Sequence, residues 1–132
     1  MHWFNLAGAG LTLVMGCLGL FFPRRASQLT GLEARTPPGF SEFRATFGGA
    51  LVLPALLILV IQTPIAFAFA GLWWAGAALG RVVSIILDRS STPQNWTAVA
   101  FELLFAATLL VGAPGSELIK LLSSGHGLPA AA

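Results

Sequence analysis

Hydrophobic positions along this chain fall into four long runs separated by polar breaks, and each run approaches the length of a membrane-crossing helix, about 20 residues. The first extends from about Trp3 to Phe22 and stops at Pro23-Arg24-Arg25, an apolar core ended by proline and charge. Residues 24–40 form the one long polar loop, broken by Gly31, Pro37, Pro38 and Gly39, with room for a short interfacial helix around Ala26 to Leu29. The second run, 41–61, has a start signal at Ser41, with Glu42 in the first turn and Pro54 placed to bend the helix. Gln62-Thr63-Pro64 leads into a third run, 65–87, which ends at Asp88-Arg89. After a short polar link a fourth run covers 95–111. Such short connections predict antiparallel neighbours.

The pattern therefore predicts an all-α fold, an integral membrane four-helix antiparallel bundle made of a single transmembrane domain over 1–132. Residues 114–132 form an interfacial segment at Glu117 to Leu122 and then a tail. Composition agrees: of 132 residues, 56% are hydrophobic and only 9% charged, and mean hydropathy is +0.83. A soluble catalytic domain is therefore not expected. The net charge of +2 reflects few acids rather than a basic patch, so nucleic acid is not an expected partner.

Cys17 is the only cysteine, and His2 and His126 sit at opposite ends of the chain, so no disulfide, metal or haem ligand set is expected. Val14, Met15 and Gly16 before Cys17 loosely resemble a lipoprotein cleavage box. The apolar run continues past it and no basic segment precedes it, so cleavage is not expected. No cofactor and no catalytic constellation are expected either.

Charges inside the spans carry the most information, because an ionisable group in hydrocarbon costs about 2.5–3.5 kcal/mol even on the mildest scale. Arg81 and Glu102 sit at similar depths on antiparallel neighbours, which predicts an ion pair. Glu42, Arg44 and Asp88 are expected to join them in a buried cluster. That cluster serves either to fix helix register or to bind a lipid, isoprenoid or quinone headgroup or a proton. Small residues form a second pattern: Gly8, Thr12 and Gly16 on the first helix, Gly48 and Gly49 on the second, and Gly76 and Gly80 on the third. Each is expected to let a helix approach closely. Trp3 and Trp96 are placed as interfacial belt residues; Trp73 and Trp74 lie too deep for that.

Gly31-Leu32-Glu33-Ala34-Arg35, Glu42-Phe43-Arg44-Ala45-Thr46-Phe47-Gly48-Gly49, and Trp74-Ala75-Gly76-Ala77-Ala78-Leu79-Gly80-Arg81 followed by Asp88-Arg89 together resemble the domain-of-unknown-function 4345 family of small bacterial membrane proteins. The resemblance implies a four-helix membrane bundle with these charges at signature positions and carries no activity with it. Likeness to small multidrug resistance transporters is poor, since those share a glutamate on the first helix and none is present here. The function expected is that of a non-enzymatic membrane subunit or accessory protein with membrane lipids and another integral membrane protein as partners. A carrier of a lipid, isoprenoid or quinone, and more remotely a proton-coupled transporter, are the alternatives.

Arg24, Arg25, Arg35 and Arg89 lie in the first and third connections, with Arg44 and Arg81 in adjoining helix ends. The positive-inside rule then puts these connections in the cytoplasm and both termini outside a bacterial inner membrane. A reporter enzyme active only in the cytoplasm should be silent when fused after Ala132, and strong activity would reverse the orientation.

Overall fold

A computed structural model describes residues 2–124 of the chain. His126 and the tail expected at 127–132 lie outside the described residues. Three helices are long and apolar enough to cross a membrane: α1 (His2–Phe21), the run Pro37–Ile61, and α5 (Pro64–Leu87). A fourth span results if α6 (Pro93–Leu110) and α7 (Ala113–Ser123), bent by 84° at Gly112, are taken together. The second span comprises α3 (Pro37–Arg44), a π-helical turn (Ala45–Gly49) and α4 (Ala50–Ile61). Among the described residues all regular structure is helical, and the fold is an all-α antiparallel membrane bundle.

Two boundaries differ from the sequence expectation. The polar stretch 24–40 is not simply a loop, because Pro23–Thr30 forms α2 and closes on Gly31 in the left-handed conformation (φ 73°). The second span starts at Pro37 rather than Ser41. Thr36 is its cap, accepting a hydrogen bond from the Gly39 amide, and Pro37 occupies the first turn, where a missing N–H costs nothing. Glu42 is consequently beyond the first turn. The helix continues through Pro54 to Ile61, and its departure from α geometry lies about two turns earlier, at Ala45–Gly49.

Packing follows the order second span, α1, α6, α5. The broadest contact is α5 on α6, then α1 on the second span and on α6, while α4 and α5 meet little despite their short connection. Glycines set these distances. On α1, an added Cβ at Gly8 would lie 2.6 Å from Thr108 Oγ1, and one at Gly16 would lie 2.9 Å from the Val52 amide. At Gly19 it would overlap the Phe47 carbonyl; from the other side, one at Gly48 would lie 2.8 Å from the Leu20 Cα. Backbone thus rests on backbone between α1 and the π turn, the close approach that small residues permit in lipid. Gly76 and Gly80, expected to do the same, do not: a Cβ at either would meet nothing within 4 Å, because they point away from α6 and α1. Gly49 likewise touches no other helix.

The centre is filled by Trp74, whose ring lies 4.7 Å from that of Phe105 at a tilt of 43° and belongs to one apolar cluster with Ala9, Ile58 and Leu109. Its indole Nε1 donates to Thr12 Oγ1 (2.9 Å), and Thr12 donates in turn to the Gly8 carbonyl (2.8 Å). Large apolar side chains such as Leu53, Val60, Phe69 and Ile86 point outward, as expected where the solvent is hydrocarbon.

Gly19→Ala should lower the melting temperature in detergent, at a cost of about 1–3 kcal/mol for forced overpacking. Gly76→Ala should leave it unchanged or raise it, by up to about 1 kcal/mol of helix propensity. Equal losses in both variants, followed by circular dichroism, would overturn this assignment of the close contacts.

Candidate functional site

The arginine-rich end of the α5–α6 pair holds a polar network inside an otherwise apolar interface. The helices run antiparallel, so partners descend on one as they climb on the other: Gly71 meets Leu110, Trp74 meets Phe105, and Arg81 meets Glu102. Arg81 Nε donates to Glu102 Oε1 at 2.7 Å, and its Nη1 donates to Asn95 Oδ1 at 3.2 Å. Asn95 Nδ2 then donates to the Ser90 carbonyl (2.8 Å) and to Ser90 Oγ (3.1 Å), and Ser90 Oγ lies 3.0 Å from Ser84 Oγ. Thr92 caps α6 by accepting from the Asn95 amide, which fixes that side chain's starting point.

Glu102 is only 8% exposed, and its second oxygen, Oε2, is buried without a hydrogen-bond partner. The carboxylate is therefore half satisfied. Chemically the site offers one buried acceptor beside a guanidinium, suited to a hydrogen-bond donor or a proton, and it holds no nucleophile poised against a base.

The other three members of the expected five-residue cluster are elsewhere. Glu42 is exposed, and no ion pair involves it among the described residues. Arg44 instead donates to the Leu20 carbonyl, capping the C-terminal end of α1 with a cation, where the helix dipole favours one. Both are carried by α3, which packs on α1 and not on α5. Asp88 caps the end of α5 and is exposed. The expectation failed because it took helices adjacent in sequence to be adjacent in space.

Two participants escaped sequence reasoning. Asn95, read only as the start of a helix, lies seven residues before Glu102 and so on the same face, a spacing that would have revealed it. Asn5 is 3% exposed within an apolar run, and its Nδ2 donates to the Thr108, Leu109 and Val111 carbonyls at 2.9, 3.1 and 3.2 Å. It thereby satisfies the otherwise orphaned end of α6.

Residues 1–113 match the family described as Domain of unknown function (DUF4345). The chain belongs to the DUF4345 family. No curated protein and no solved structure matches it. Within this DUF4345 chain the three blocks that carried the resemblance have distinct structural duties. Gly31 closes α2, and Gln94 of α6 packs against it while donating to the Gln28 and Leu29 carbonyls. Phe43 and Phe47 stack at 4.7 Å beside the Gly48 contact, and the third block supplies both Trp74 and Arg81.

Arg81→Met alone should destabilise the protein by about 3 kcal/mol, since it strands a buried carboxylate, whereas Arg81→Met with Glu102→Leu should be far milder. Denaturation in mixed micelles measures both. A double variant as unstable as the single would mean that the pair is not the unit that matters.

Proposed function

We propose that this protein is a non-enzymatic integral membrane accessory protein that receives a transmembrane helix of another membrane protein on the outer face of α5. The observation that carries the reading is the pair Gly76 and Gly80: they lie one turn apart on a membrane-length helix, and an added Cβ at either would meet nothing within 4 Å. Large exposed residues, Trp73 and Val83, flank the hollow along the same face. A glycine inside a helix costs up to about 1 kcal/mol relative to alanine, and the chain's own packing does not require these two. A visiting helix would use them, because small residues four apart allow the close backbone approach on which association in lipid depends.

The proposal includes a bacterial inner membrane and an orientation with both termini outside the cytoplasm, supported by the clustering of Arg24, Arg25, Arg44 and Arg89 toward one end. His2, Gln62, Pro64 and Ala113 line a small cavity at the opposite end. A second reading, a carrier for a lipid, isoprenoid or quinone, draws on the unpartnered Glu102 Oε2.

Gly76→Leu with Gly80→Leu should leave the thermal melt unchanged and abolish recovery of a stoichiometric membrane protein partner from mild detergent. Recovery of the same partner by the folded variant would remove this face from the interface. Cross-linked pairs of the chain itself would make the partner a second copy.

A further inference from the structure

We propose that the arginine-rich end of the bundle binds one anionic phospholipid, holding its phosphate in a cleft between the α1–α2 corner and the first turns of α3. This goes beyond the docking role of α5 and involves the opposite flank of the molecule. The cleft has a volume of about 980 Å³. Arg24, Arg25, Arg35 and Arg44 all line it, and no acidic side chain does.

Charge is the first argument. Arg35 is paired with Glu33, but Arg24, Arg25 and Arg44 have no carboxylate within 4.0 Å among the described residues. The Arg24 guanidinium lies 5.5 Å from the centre of the Phe40 ring, and that of Arg25 lies 5.7 Å from the Phe22 ring. These aromatic faces orient the cations without neutralising them. Two helix N-termini add to the same field, since Pro23 of α2 and Pro37 of α3 both line the cleft and neither helix has an acidic residue in its first turn. Acids ordinarily occupy that position because the dipole favours them. Arg44 also caps the C-terminal end of α1 through the Leu20 carbonyl, so Arg24 and Arg25 are the guanidiniums left to face the cleft, beside two positive helix ends and no internal anion. Planar guanidinium forks suit phosphate oxygens.

Position identifies the source of that phosphate. Phe21 and Phe22, both more than half exposed, form the cleft's apolar side at the end of a helix apolar enough to cross a membrane. Hydrocarbon gives way to headgroups at such a level. A diacyl lipid can lay its chains beside these rings while its phosphate meets the arginines; a soluble phosphate would use only half of the site.

The test is native mass spectrometry of the full-length chain in non-ionic detergent, titrated with phosphatidylglycerol, with phosphatidylcholine, and with glycerol 3-phosphate. One phosphatidylglycerol should bind in preference to phosphatidylcholine, and glycerol 3-phosphate should not displace it at equal concentration. Arg24→Gln with Arg25→Gln should weaken phosphatidylglycerol about thirty-fold, about five-fold per arginine. Arg89→Gln, which removes a charge at the same end but outside the cleft, should change it less than about two-fold by the same measure. Equal binding of the two lipids, or an Arg89→Gln loss as large per charge, would overturn the site in favour of diffuse attraction. Displacement by glycerol 3-phosphate would overturn the lipid assignment. If the double variant does not fold, the wild-type preference at rising salt decides: it should shrink, and a preference indifferent to salt would overturn the proposal.

Discussion

Contacts between α1 and its neighbours are made where side chains are smallest, and the arrangement of the other helices depends on that. In hydrocarbon there is no hydrophobic gain from bringing two apolar helices together, so association rests on close packing and on polar groups that have no water to turn to. Gly16, Gly19 and Gly48 let the second span press its backbone against α1 on one side, while Gly8 admits Thr108 and Leu109 of α6 on another. Thr12 on the same helix accepts the indole of Trp74 and so draws in α5. A single helix with four small positions, turned to three different neighbours, thus organises the bundle.

Polar satisfaction completes what close packing begins. Asn5 of α1 caps α6, Arg44 of α3 caps α1, and Gln94 of α6 caps α2. Each closes a helix end with a side chain from a different element, so the ends where α-helices leave carbonyls unpaired become the joints of the fold. The Arg81–Glu102–Asn95 network does the same for the arginine-rich end of the α5–α6 interface, with one exception. Glu102 Oε2 is left bare in an interior where an unmet acceptor is costly, which distinguishes it from the fully satisfied polar groups around it.

Two surfaces remain that the chain's own packing does not account for. One is the outer face of α5, with its unused glycines; the other is the cationic cleft at the α1–α2 corner. They differ in chemistry, the first apolar and hollow, the second aromatic and positively charged. A small membrane protein with one face shaped for a helix and another suited to a lipid headgroup matches the accessory role proposed for it.

The helical class, three of the candidate spans and the pairing of Arg81 with Glu102 were legible in the sequence alone, because hydropathy and the rise per residue are local properties of a chain forced to satisfy its backbone internally. The DUF4345 resemblance was legible too, in blocks whose residues now have physical roles. That the third and fourth runs lie side by side was legible in their short connection, but that the second span lies against α1 rather than α5 was decided only by the tertiary structure. Glu42 and Arg44 were expected in the charge cluster from their place in the sequence, yet the second span turns to α1 through glycine contacts and carries them away from it. The same choice left Gly76 and Gly80 facing outward, although their spacing matches that of the Gly8, Thr12 and Gly16 stripe in use on α1. A spacing records that a helix has a smooth face; only the competition among all faces for partners determines which of them is buried.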